Sequence, residues 1–125
     1  MQKCAKIELM TPSPSHYAQY LAELMPERQL IEIAEGFIEY EFLTKAVLIR
    51  ELFIAKPYRG GTGQLAQGLV KQVEAIAKDN GFTEVWASID PKHPQARIKI
   101  KVYSKYFKYE LKGVTDGLIN LRKEL

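Results

Sequence analysis

Two periods take turns along this chain. Leu30, Ile31, Ile33 and Ala34 form a short apolar run, Glu35 and Gly36 punctuate it, and Phe37, Ile38, Tyr40 and Phe42 then alternate with Glu39 and Glu41. That alternation predicts an antiparallel hairpin that leaves Glu39 and Glu41 on a half-exposed face. From Ala46 to Ala55 the chain is nearly all apolar, broken only by Arg50 and Glu51, the pattern of a central strand covered on both sides. Pro57 stops it. After the turn Arg59, Gly60, Gly61, Thr62, Gly63 the period changes to that of a helix, from Gln64 to Asn80. Leu65, Ala66, Leu69, Val70, Val73, Ile76 and Ala77 make one stripe, with Lys71, Gln72, Glu74 and Lys78 opposite. Asn80 and Gly81 supply the stop.

Weaker signals complete the outline. Lys3 to Met10 reads as a first strand, closed by Thr11, Pro12, Ser13, Pro14 and Ser15. Ser15 would cap a helix from His16 to Met25, with Tyr17, Tyr20, Leu21 and Leu24 at helical spacing. Thr83 to Ile89 is a strand ended by Asp90 and Pro91. Gln95 to Tyr106 fits both periods, because Ile98, Ile100 and Val102 alternate while Ala96, Ile100, Tyr103 and Phe107 share a helical face. Closing strands are expected near Phe107 to Gly113 and Gly117 to Lys123. The resulting fold class is α/β: a mixed, mostly antiparallel twisted sheet of about six or seven strands with about three helices.

Composition narrows the setting. At 125 residues the chain is expected to be one domain, 1–125, with 46% apolar and 26% charged residues. No segment reaches the apolar run that a membrane span needs. One cysteine, Cys4, excludes an internal disulfide framework and suits a reducing, cytoplasmic compartment. Two histidines, His16 and His93, with no close partner argue against a metal site, and both are expected on the surface. The net charge of +3 is mild. Lys99, Lys101, Lys105 and Lys108 cluster, which reads first as a solvated face and second as a surface for phosphates.

The segment with chemical content is a buried strand, a glycine turn and a strong helix. Glycines let backbone N–H groups approach an anion closely, and the helix N-terminus adds about half a positive charge. Arg59 stands at the lip, able to pair with a phosphate. The turn lacks the Gly-Lys-Ser/Thr ending of a Walker loop, since Gln64 and Leu65 follow Gly63. The hairpin that precedes it departs from a dinucleotide-binding βαβ unit.

An ordered set of segments resembles the GNAT N-acetyltransferases across roughly residues 37–125. Glu51, Leu52, Phe53, Ile54, Ala55, Lys56, Pro57, Tyr58, Arg59, Gly60 is similar to that family's fourth strand and coenzyme loop. Lys78, Asp79, Asn80, Gly81, Phe82 followed by Val85, Trp86, Ala87 matches the helix end and fifth strand, and Val102 to Phe107 the tyrosine-bearing segment. The glycines are displaced from the family's usual loop, and the glycine between Tyr106 and Phe107 is missing. The resemblance implies splayed central strands and an acetyltransferase that uses acetyl-coenzyme A as cosubstrate. It places coenzyme contacts at Leu52, Phe53, Ile54, Arg59, Gly60, Gly61, Thr62, Gly63, Gln64 and Leu65. It makes Tyr103 the acid for the leaving thiol, with Glu51 as base and Glu39 and Glu41 as its competitors. A primary amine is the implied acceptor. The short N-terminal half leans toward a protein or peptide amine, or toward a site completed by a second subunit of a homodimer. Two rivals remain: a non-catalytic coenzyme-binding or regulatory module, and a small basic protein that meets nucleic acid.

Overall fold

The computed structural model describes residues 15–60 and 63–125. The expected strand over Lys3 to Met10, Cys4, Gly61 and Thr62 lie outside the described residues. Among the described residues there are six strands in one sheet, ordered β1-β2-β3-β4-β6-β5. Every neighbouring pair is antiparallel except β3 and β4.

Helix α1 (His16–Leu24) begins where expected, with the Ser15 hydroxyl accepting from the Ala18 N–H at 2.9 Å. Of its anticipated face only Leu21 is buried, while Tyr20 and Leu24 are exposed. Strands β1 (Arg28–Ile33) and β2 (Gly36–Phe42) form the hairpin, and β3 (Val47–Ile54) adds to its inner edge. Gly36 is required at the turn: a Cβ there would lie 2.0 Å from the Phe53 carbonyl oxygen. Glu39 and Glu41 depart from the half-exposed expectation, being only 2% and 8% exposed. Each is buried with a cation beside it: Arg28 at 2.7 Å on Glu39, and Arg50 on Glu41. Burial of a carboxylate is tolerable only with such a partner.

Helix α2 (Gln64–Asp79) crosses from β3 to β4 (Glu84–Ile89), making a βαβ unit in the middle of the chain. Its buried residues Leu69, Val70, Val73 and Ala77 pack on Ile38, Tyr40, Val47, Ile49, Val85, Ala87 and Leu121. The ambiguous stretch resolves as a helix, α3 (Ala96–Lys101), running into a π-helical turn over Val102–Tyr106. The Phe107 N–H bonds the Val102 carbonyl at 3.0 Å, so Phe107 closes this turn and does not start a strand. The last hairpin is β5 (Glu110–Thr115) and β6 (Leu118–Glu124).

Candidate active site

The site begins with a defect in the sheet. β3 and β4 pair over only three positions, Val47↔Val85, Leu48↔Trp86 and Ile49↔Ala87. Against β2, Glu51 faces Glu39 and Ile49 faces Tyr40, which leaves Arg50 as the extra residue of a bulge. A bulge bends its strand and raises the local twist. Here it falls immediately after the last β3–β4 pair, and Arg50 is held there by its ion pair with Glu41. Beyond it β3 keeps β2 alone, and β4 continues only with β6, through Ser88↔Asn120 and Ile89↔Ile119. The two parallel strands therefore splay at their carboxyl ends, where open α/β sheets commonly take their ligands.

A cavity of about 720 Å³ fills the splay, within the usual size of a small-molecule site. Every described residue expected to touch coenzyme or to do chemistry lines it. They are Glu51, Leu52, Phe53 and Ile54 on β3, Arg59, Gly60, Gly63, Gln64 and Leu65 around the turn, and Tyr103 on the π turn. Gly63 sits at the N-cap of α2 with φ 73°, a left-handed conformation that favours glycine, and it offers no side chain to the first N–H groups of the helix. Arg59 donates through Nε to the Ile54 carbonyl at 2.7 Å and lies over the Phe53 ring. That anchors it at the lip and leaves the rest of its N–H fork for an anion.

Tyr103 is buried against Phe107 and Tyr109, with ring centroids 5.2 Å away in both cases. Burial, then the Glu51 and Glu74 carboxylates, push its pKa well above the usual phenol value. Its proton is therefore firmly held at neutral pH.

A smaller cavity of about 140 Å³ adjoins the first, and the two share Glu51, Leu52, His93, Lys99 and Tyr103. Two of these were read otherwise from sequence. His93, expected on the surface, lines both cavities, and its Nδ1 accepts from the Gln95 N–H at 2.9 Å. Its position just past the end of β4 was the available signal, since parallel strands aim their ends at ligands. Lys99, expected on a solvated face, donates to Glu51 Oε1 at 2.5 Å. It lies four residues before Tyr103 and so on the same helical face. His16 is exposed as expected, and Lys101, Lys105 and Lys108 do face solvent.

No protein-family model matches the sequence, and no curated protein matches it. Solved structures do match. A GNAT family acetyltransferase from Elizabethkingia anophelis with acetyl-CoA bound superposes with TM-score 0.65 at 14% identity, over 90% of this chain and 85% of that one. PaiA N-acetyltransferase from Thermoplasma acidophilum in complex with coenzyme A gives TM-score 0.58 at 19% identity, over 73% of this chain and 54% of that one. An Arabidopsis thaliana protein in complex with the bisubstrate analogue CoA-Ac-MVNAL gives TM-score 0.61 at 20% identity, over 98% and 91%.

The chain has the GNAT fold. The match to the Thermoplasma protein spans 54% of that chain, whereas the other two are covered nearly throughout. In the wall of its splay Lys99 reaches across to Glu51.

Proposed function

We propose that this protein is an acetyl-coenzyme A-dependent N-acetyltransferase that passes the acetyl group directly to a primary amine in a ternary complex. The observation that carries this is the cavity of about 720 Å³ in the splay, which collects a freed strand edge, a glycine-capped helix N-terminus, an arginine and a buried tyrosine. The residues present fit the coenzyme. Gly60, Gly63, Gln64 and Leu65, with Arg59, would receive its pyrophosphate, and Gly61 and Thr62 lie between Gly60 and Gly63 in the sequence. Leu52, Phe53 and Ile54 would offer the backbone groups released from β4 to the pantetheine arm. The Leu52 N–H, now 3.2 Å from Glu51 Oε1, would polarise the thioester carbonyl. When bound, acetyl-coenzyme A supplies an acetyl group activated as a thioester.

Glu51 would take the proton from the incoming amine, which must be neutral to attack, and Tyr103 would return a proton to the departing thiol. Glu39 is a poor rival for the base, since it is 2% exposed beneath Arg28 and the Tyr17 hydroxyl, whereas Glu51 lines the cavity. A protein or peptide amine in the cytoplasm is the acceptor we favour. In support, the Glu51 side chain keeps 39% of its surface exposed beside the Lys99 ion pair, which leaves room for a chain end. The Arabidopsis protein's peptide-bearing analogue and a neighbour that is an aminoglycoside 6'-acetyltransferase show that this fold accommodates both acceptor types.

The test has two arms. Acetyl-coenzyme A at one hundred times its dissociation constant should stabilise the chain by about 2.7 kcal/mol, read as a raised thermal midpoint. Thiol release should then appear with peptide amines before small amines. No midpoint shift at millimolar coenzyme rejects the reading; a shift without thiol release for any amine leaves a non-catalytic coenzyme-binding module.

A further inference from the structure

Lys99 is placed where an acceptor amine would have to be. Its Nζ donates to Glu51 Oε1 at 2.5 Å, and the Leu52 N–H points at the same oxygen from 3.2 Å. A cation and a backbone donor thus converge on one oxygen at the splay. Lys99 and Glu51 both line the 720 Å³ and the 140 Å³ cavities, so the pair sits at their junction. The Lys99 side chain is only 20% exposed, although its neighbours Lys101 and Lys105 are exposed. A lysine withdrawn from solvent and seated on the candidate base is more than a surface charge.

We infer that Lys99 is a self-acetylation site: the chain transfers an acetyl group from acetyl-coenzyme A to its own Lys99 Nζ. The inference rests on the coenzyme reading above. In the step, Glu51 accepts a proton from the Lys99 ammonium, and the freed lone pair attacks the thioester carbonyl carbon. The C–N bond forms, the C–S bond breaks, and the electron pair leaves on sulfur. The products are N-acetyl-Lys99 and coenzyme A thiol, with one proton released overall. No oxidant or further reactant is needed. Acetylation abolishes the Lys99 charge, so the Glu51–Lys99 ion pair is lost and Glu51 is released toward an external amine.

The experiment incubates the full chain with acetyl-coenzyme A and follows acetyl occupancy of individual lysines by peptide mass spectrometry. Lys99 should fill at least about tenfold faster than Lys101, Lys105 and Lys108, at a first-order rate independent of protein concentration. Glu51→Gln should slow Lys99 by roughly 10²-fold, the low end for a positioned base, and leave Lys105 unchanged. Lys99 labelling no faster than that of the exposed lysines overturns the inference, as does a rate proportional to protein concentration. Thermal midpoint with unacetylated coenzyme A separates the causes. A shift with unselective labelling removes only the Lys99 site, whereas no shift removes the coenzyme reading beneath it.

Discussion

Strand β3 contains two regions with opposite obligations. Val47 to Ile49 have strands on both sides, β2 and β4, and their inward side chains Val47 and Ile49 are 0% and 2% exposed. Glu51 to Ile54 have only β2, and all four line a cavity. The residues differ little in polarity apart from Glu51. Arg50 separates them, the bulge residue pinned by Glu41. One inserted residue therefore converts a core strand into the wall of a site without changing its hydrophobic character.

The largest effect should come from the open region and should touch rate alone. Tyr103→Phe keeps the ring and its contacts with Phe107 and Tyr109 while removing its hydroxyl, the one group of this side chain that can donate a proton. Turnover should fall roughly 10²–10⁴-fold, with coenzyme affinity and thermal midpoint near wild type. Tyr106→Phe is the control, since Tyr106 is half-buried and outside the cavity. Wild-type turnover for Tyr103→Phe beside a loss for Tyr106→Phe would move the acid by three residues. If both variants turn over normally, solvent supplies the proton.

In the paired region the consequence should reverse. Ile49→Ala deletes a side chain packed among the core cluster, and a cavity of that kind costs about 2–5 kcal/mol. Urea denaturation should register that loss, while the occupied fraction of coenzyme at saturation stays unchanged. Phe53→Ala, at a position 42% exposed, should cost distinctly less stability and act mainly on ligand affinity. Equal losses of stability at the two positions would dissolve the distinction between the halves of β3.

This division explains what could be read from the sequence. The apolar run over β3, the stripe of α2 and the hairpin turn at Gly36 are local patterns, and each predicted its element to within a few residues. The turn and helix-start residues that line the larger cavity were legible as a group because they are contiguous in the chain. Glu39, Glu41, Lys99 and His93 were not, because their environment is set by contacts between different elements of the fold. Glu51 and Lys99 are 48 residues apart. Alternation says which face a glutamate is on, but not that an arginine and a tyrosine will cover it. The bulge was equally hidden, since Arg50 and Glu51 in an apolar strand read as interruptions and not as a change of register.

The smallest effect lies on the face opposite the core, where Glu39 stands across from Glu51. The Tyr17 hydroxyl donates to the Glu39 carboxylate. Burial first, and then that bond and the charge of Glu39, hold the Tyr17 pKa up at about 12 against an ordinary 10.0. Below pH 10 both the folded and unfolded chains carry this proton, so its contribution to stability is complete. As pH rises from about 10 to about 12 the unfolded chain releases the proton first, and stability falls across that window. Tyr17→Phe should cost about 1.5 kcal/mol at neutral pH, the low end for a hydrogen bond to a charged group. The same variant should flatten part of the alkaline slope. Tyr40, Tyr103 and Tyr109 are also raised, so the measurement is the difference between wild type and variant in urea midpoints across that range. A difference that shrinks toward zero as pH passes 12 assigns the slope to Tyr17. A constant difference would mean that Tyr17 titrates alike in the folded and unfolded chains, and that Glu39 is held by Arg28 alone.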